Sequence, residues 1–391
     1  MINIRTITYN LPKKLNSKIF DTIHNCIESW KDFDYFVRTV RISTYPIENS
    51  EANDFEQIND FCINHNIRWF SIPVRIKEDS LVSYSYSLLK KYDRAFVNIE
   101  GAKDNIMFFG SIDKYIKLMK KVGKLSLDGN DNFRLGLSIN IKDNTPFFPF
   151  AQSSGENSFS IGLELTEEIN EIISKYNNLN LDEMRKKIIK KIDSQITEIE
   201  KYAIQIEEKY HIKFCGFDFS LAPTLQKNGS IISLIQKIGV KDFSGSGIMF
   251  ATAYLTNILK SFGNKHRHVG FSGVMYSLLE DNKLCEINNN QGVHLEDIIK
   301  LSTMCGCGID MVPIYENTNN DIIKSYILDI CAISCRLNKP LGIRFLSLNQ
   351  KLKMTNFSKD SDFIANTKIL NLNTNKVKGK DINNFNFIKL K

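Results

Sequence analysis

Two hydrophobic spacings alternate along the chain. Ten short segments carry the period-two or continuous apolar pattern of strands, and most are separated by stretches whose apolar residues recur every three or four positions. The strand segments are Ile2–Tyr9, Phe36–Ser43, Ile67–Val74, Arg94–Glu100, Phe133–Ile141, Ser158–Leu165, Lys213–Leu221, His268–Ser277, Gly308–Ile314 and Leu341–Leu348. Helical stretches lie around 17–31, 51–66, 79–92, 110–124, 229–262, 292–304 and 319–337. Strand alternating with helix predicts parallel βαβ units. One junction breaks the rule: 142–157 holds Pro146, Pro149 and Gly155 and no helical period. A parallel return needs a crossover of a dozen or more residues, whereas an antiparallel return needs only a loop. The expected fold is α/β, a ten-stranded β/α barrel of two five-stranded parallel half-barrels, about 1–141 and 158–350, antiparallel to each other.

A long helix is expected between the sixth and seventh strands. Met184, Ile188, Ile192, Ile196, Ile199, Ala203, Ile206 and Tyr210 step by three or four and make one apolar stripe. The stripe fits packing on the barrel exterior or, with surface to spare, a homo-oligomer. The segment 351–391 is rich in Asn and Lys with little apolar pattern, and is expected to be a loosely packed extension with one late strand at most.

The strands are not the near-continuous Val/Ile/Leu runs of a sheet buried on both faces. In Phe133–Ile141 one face is Phe133, Leu135, Leu137 and Ile139, and the other is Arg134, Gly136, Ser138 and Asn140. Phe159, Ile161, Leu163 and Leu165 oppose Ser158, Ser160, Gly162 and Glu164, and a third strand aligns Phe214, Gly216, Asp218 and Ser220. Alternation sends one set to the helices and the small, polar set inward. A filled barrel core would be bulky and branched. The expectation is therefore a wet, ligand-holding interior.

Charged residues on these segments are the candidate chemistry: Arg5, Arg41, Arg134 and Arg344 with Glu100, Glu164, Asp218 and Asp310. Arginine offers a planar fork matched to carboxylate or phosphate. Carboxylates beside it can do acid/base work if their environments separate their pKa values. The plainer reading is that these ions pair with one another as internal struts.

Composition narrows the class. Over 391 residues, 42% hydrophobic and 24% charged, 51 basic against 44 acidic residues leave +7, and no Lys/Arg block is interleaved with aromatics, so nucleic acid is not an expected partner. No apolar stretch approaches a membrane span, and no signal-peptide pattern opens the chain. Eight cysteines then read as free thiols in a cytoplasmic protein. Cys305-Gly-Cys307, Cys331 with Cys335, and His266 with His268 lack metal-site spacing, so no metal is expected. Without a GxGxxG, P-loop, HExxH or GxSxG pattern, no cofactor is expected either. Ser244-Gly-Ser-Gly247 before a helical pattern fits a tight, capped loop better than an anion site.

Several runs resemble uncharacterised protein family 0210, also called domain of unknown function 711. They are Ile4-Arg-Thr-Ile7, Asn132-Phe-Arg-Leu-Gly-Leu-Ser-Ile-Asn140 with Thr145-Pro-Phe-Phe-Pro149, Phe159-Ser-Ile-Gly-Leu-Glu164, Gly216-Phe-Asp-Phe-Ser-Leu-Ala-Pro223, Phe271-Ser-Gly-Val-Met275 with Glu280-Asp281, Gly308-Ile-Asp-Met-Val-Pro313 and Asn338-Lys-Pro-Leu-Gly342. The resemblance implies a fold like the pyruvate formate-lyase-like glycyl-radical barrels, but no activity. Gly379 sits in Lys-Gly-Lys, outside the radical-glycine setting, so radical chemistry is not expected. The family's Pro-Gly-Asp-Thr after Pro313 is Ile314-Tyr-Glu-Asn-Thr318 here, and its Pro-Gly-Lys after the last strand is Leu348-Asn-Gln350.

The expected function is a non-radical lyase or hydrolase acting on a small anionic metabolite. Arg134 and Arg344 would hold the anion, with Arg5 and Arg41 in support. Glu164, Asp218 or Asp310 would serve as acid or base, and Asn140 and Ser220 would position by hydrogen bonds. A non-catalytic sensor or carrier with the same site is the alternative, and a scaffold with structural ions a third.

Overall fold

In the computed structural model, which describes residues 1–49, 55–126, 128–357, 363–372 and 387–389, the strand segments pair into one mixed eleven-stranded sheet. Residues 51–54 of the expected second helix and 358–362, 373–386 and 390–391 of the C-terminal extension, Gly379 among them, lie outside the described residues. The elements are β1 (Asn3–Asn10), α1 (Ser17–Trp30), β2 (Val40–Ser43), α2 (Phe55–Asn64), β3 (Trp69–Val74), α3 (Ser80–Lys91), β4 (Ala95–Lys103), β5 (Ile106–Phe108), α4 (Phe109–Val122), β6 (Leu135–Ile139) and β7 (Ser158–Glu164). There follow α5 (Thr166–Lys175), α6 (Leu181–Tyr210), β8 (Lys213–Asp218), α7 (Ile231–Ile238), α8 (Ile248–Gly263), α9 (Asn282–Asn290), α10 (Leu295–Leu301), β9 (Gly308–Tyr315), α11 (Asn320–Leu337), β10 (Leu341–Leu348) and β11 (Phe387–Lys389).

Strand order is β8-β7-β1-β2-β3-β4-β6-β10-β9, with β5 paired to β4 and β11. β1, β2, β3, β4 and β6 run parallel, as do β7 with β8 and β9 with β10. Direction reverses between β1 and β7, where Ile7 faces Ile161, and between β6 and β10, where Leu137 faces Ile343. The expected eighth strand makes no ladder. Single bridges join His268 to Phe217, Val274 to Leu221 and Ser277 to Asp310. Gly270 and Ser272 both take positive φ there, which breaks an extended run.

The expected 229–262 helix is two, α7 and α8, because Gly239 and Gly247 turn left-handed between them. The pattern reading lacked α9, which is poor in helix formers and starts where the Asp281 carboxylate takes the N–H groups of Lys283 and Leu284. α6 is one helix, started by a capping box in which Asn180 and Glu183 exchange hydrogen bonds. Its stripe from Met184 to Ile206 is buried within this chain, in a helix that packs on α1, α5 and α8. The apolar surface that suggested a homo-oligomer is thus already covered. Among the described residues, no helix is long and apolar enough to cross a membrane.

The C-terminal extension is better packed than its composition implied. Phe357, Ile364 and Leu370 are buried, and Leu370 bridges to Ile314 of β9. Asn288 of α9 donates to the Thr367 hydroxyl at 2.9 Å and the Lys368 carbonyl at 2.8 Å.

The strand faces divide as alternation requires. Ile7, Ile72, Val97, Leu137 and Ile161 belong to the apolar core, while Thr8, Ser71, Asn98, Gly136, Ser160 and Gly342 do not. The inner face is only partly open to a ligand, contrary to the wet interior expected, because 145–151 lies along it. Thr8 donates to the Pro146 carbonyl at 3.1 Å, Ser71 to the Pro149 and Ala151 carbonyls at 3.1 and 2.8 Å, and Asn98 to Pro149 at 2.9 Å. Buried backbone carbonyls need donors, and the short polar side chains supply them. A Cβ added at Gly136 would fall 2.6 Å from Pro149, and one at Gly342 2.3 Å from the Phe150 ring. Much of the strands' small, polar character therefore serves the chain's own reversal loop.

Candidate functional site

Between this loop and the strand ends lies a cavity lined by Arg5, Arg38, Arg41 and Arg344, with Glu280 and Asp310 as its acids. Four guanidinium groups against two carboxyls leave a lining charge of +2 if both acids are ionised. Its other walls are largely aromatic, including Trp69, Phe133, Phe148 and Phe271. The space open to the centre of a water-sized sphere is about 60 Å³, enough for a small ligand or several waters.

Backbone irregularities set two of the arginines. The β1–β7 register jumps from Ile4–Leu163 to Thr6–Gly162, leaving Arg5 unpaired. The β10–β9 register jumps from Ile343–Ile309 to Phe345–Val312 and leaves out Arg344. A bulge re-aims the side chain it carries, and such irregularities recur beside functional sites.

Arg344 is fully engaged. Its Nε and Nη2 donate to the two Asp310 oxygens at 2.7 and 2.9 Å, Nη2 also to Glu280 at 3.0 Å, and Nη1 to the Phe133 carbonyl at 3.3 Å. Burial opposes its charge, but Asp310 and Glu280 outweigh that and raise its pKa. Arg38 pairs with Glu164 at 2.9 Å, and Arg5 lies 3.8 Å from the same oxygen while donating to the Pro223 carbonyl at 3.3 Å.

Arg41 is different. It is 7% exposed, its buried Nε has no hydrogen-bond partner, and no ion pair reaches it from the described residues. Its guanidinium carbon stands 4.9 Å from the Trp69 ring centre and 5.1 Å from that of Phe148. Burial first, then Arg5, lowers its pKa to about 9, so it stays cationic at neutral pH. A buried cation without a counter-ion is costly, and an anion in the cavity would relieve it.

Glu280 is 15% exposed. Burial pushes its carboxyl above the ordinary range, Arg344 and Arg5 pull it down, Asp310 pushes it up, and the net direction is up. A raised carboxyl beside bound arginines can carry a proton to or from a ligand.

The residues expected at the site separate into two groups. Arg5, Arg41, Arg344 and Asp310 meet at the cavity, with Glu164 directly behind Arg5 and Arg38. The others do not line it. Arg134 belongs to a 3-10 turn, not to β6, and binds the Tyr92 and Ala95 carbonyls and, at 2.6 Å, Asp131. Asn140 turns through positive φ and ties Asn105 to Ser334. Asp218 accepts the Ser220 hydroxyl at 2.6 Å and the N–H groups of Ser220, Phe271 and Ser272 at 2.9, 2.8 and 3.0 Å. These bonds pin the 270–273 turn, with Ser220 receiving Gly273 N–H, and burial still raises the Asp218 pKa. His266 is held between Glu200 and Asp193, at 2.6 and 3.1 Å. Among the described residues, no three His, Cys, Asp or Glu side chains are grouped to hold a metal ion.

Arg38 and Glu280 were absent from the expected set. Arg38 stands three residues before Arg41 in the same segment. Glu280 was visible in the Glu280-Asp281 pair, whose second member caps α7 through Ser230 and Ile231 N–H.

Comparison with known proteins agrees in kind. The family model described as Uncharacterised ACR (DUF711) matches residues 3–353. A UPF0210 protein of Sulfurisphaera tokodaii is 27% identical over 55% of this chain and 50% of its own length. One from Methanocaldococcus jannaschii is 24% identical over 70% of this chain and 62% of its own, and one from Halothermothrix orenii 22% over 90% and 86%. The match thus spans about half the length of some relatives and most of others. With a family model matching residues 3–353 of 391, the chain belongs to the DUF711 family of uncharacterised proteins, whose function is unknown.

Proposed function

We propose that the protein is a cytoplasmic, non-radical enzyme that binds a small anionic metabolite in the arginine-lined cavity and moves a proton with Glu280. Arg41 carries the reading, because it is a buried cation facing the cavity with no counter-ion among the described residues. Arg5 and Arg38 share one carboxylate, Glu164, and so contribute one further positive charge. Arg344 and Asp310 hold Glu280 in place. A lyase or hydrolase step suits one acid/base group beside an anchored anion. Eight free thiols favour a reducing compartment.

The same reading closes the sheet into a barrel of two antiparallel half-barrels, with 268–277 between β8 and β9. The bridges from Phe217, Leu221 and Asp310 to that segment support it. A carrier that binds the anion without chemistry is the second reading, favoured by the engagement of both cavity acids with Arg344.

The test is a thermal-shift screen against small carboxylates and phosphates, with Arg41→Leu beside the native protein. A ligand at 100 times its Kd stabilises by about 2.7 kcal/mol, a rise in Tm of about 3 °C for this length. The expected result is a shift that Arg41→Leu loses. No shift with any anion overturns the reading. Once a ligand is known, Glu280→Gln should bind it without turnover; full turnover by the variant would remove Glu280 from the chemistry, and no turnover by the native protein would leave the carrier.

A further inference from the structure

We infer that the ligand is a monocarboxylate whose body is flat and apolar, of the size of a single aromatic ring, and not a sugar acid, sugar phosphate or nucleotide. The inference rests on the anion-binding reading of the cavity and adds what the anion is attached to.

The lining contains almost nothing with which to bind a hydroxyl-rich body. Among the described residues that line it, Thr224 is the one uncharged hydroxyl or amide side chain, and that hydroxyl donates to Glu167 at 2.9 Å and accepts from Gln226 N–H at 3.4 Å. The Cys307 thiol is a weak partner. A sugar or ribose would bury several hydroxyls unpaired, each at about ten- to a hundredfold in affinity. The walls instead offer Trp69, Phe96, Phe133, Phe148 and Phe271 with Met275, surfaces suited to a flat apolar group.

The spare charge fits one carboxylate. Trp69 and Phe148 lie close to the Arg41 guanidinium, whose N–H fork is the group that an anion would meet. A carboxylate meets such a fork in its plane. With Glu164 counted, the four arginines face three carboxylates, Glu164, Glu280 and Asp310, so the ionised site has one positive charge to spare, enough for one acidic group. The open volume of about 60 Å³ suits a body the size of one ring and leaves no room for a nucleotide.

The test is calorimetry on the full chain with benzoate, acetate, inorganic phosphate and neutral benzamide. Benzoate should bind at least tenfold tighter than acetate, phosphate or benzamide. Arg41→Leu should erase its advantage over benzamide, and Arg41→Lys, which retains a charge if the leucine variant fails to fold, should reduce it. If acetate or phosphate matches benzoate, the apolar-body inference is overturned while anion binding stands. If benzamide matches benzoate, or no anion binds, the anion reading falls and this inference with it.

Discussion

The Arg344 guanidinium meets the Asp310 carboxylate as a two-pronged pair, Nε to Oδ1 at 2.7 Å and Nη2 to Oδ2 at 2.9 Å, both side chains nearly sealed from solvent. The pair joins β10 to β9 where the ladder between them is interrupted at Arg344, so side chains take over what the backbone gives up. It also fixes the arginine that holds Glu280 at the cavity.

Breaking one side of that pair strands the other. Arg344→Met or Asp310→Asn should each cost about 3–5 kcal/mol in urea denaturation. Replacing both by apolar residues should cost less than the sum, since no charge is left alone. Additive losses would mean the pair does not act as a unit.

The Glu280 carboxyl holds its proton more tightly when folded, its pKa being raised from 4.5. Its contribution to stability is full below the unfolded value and is lost as pH rises through the folded one. Ionising it also adds negative charge beside the anion, opposed by Arg344 and Arg5 and reinforced by Asp310. Anion affinity should therefore fall as pH rises through the raised pKa of the folded Glu280, and Glu280→Gln should flatten that fall. A Kd that drops with rising pH would contradict the sign.

Gly342 has no room for a methyl group. Its Cβ would stand 2.3 to 2.7 Å from three atoms of the Phe150 ring, so Gly342→Ala should cost about 1–3 kcal/mol through overpacking. Adding Phe150→Ala to that variant should recover part of the cost, because the two positions share one space. Thermal melts of the two singles and the double measure the coupling.

Arg134 and Arg41 should separate cleanly. Arg134→Ala removes bonds to two carbonyls and Asp131 and should lower stability by about 1–3 kcal/mol while anion affinity stays unchanged. Arg41→Leu should do the opposite, losing the anion and gaining or keeping stability, since it removes an unpaired buried charge. Calorimetry and a melt on each variant decide between the two assignments.

Spacing alone determined nine of the ten strands it predicted, most of the helices, the reversal near 142–157 and the stripe of α6, because these follow from local periodicity and from what a short loop can connect. Alternation also showed that one strand face is small and polar. What occupies that face was decided only in three dimensions: carbonyls of 145–151 need donors, and Thr8, Ser71 and Asn98 are at hand across more than fifty residues of chain. The arginines divide for the same reason. Arg134 and Arg41 look alike in a strand pattern, but one turn of 3-10 helix points Arg134 at backbone carbonyls, while β2 buries Arg41 beside two aromatic rings. Whether a charge is spent or free depends on partners distant in sequence, and no spacing records them.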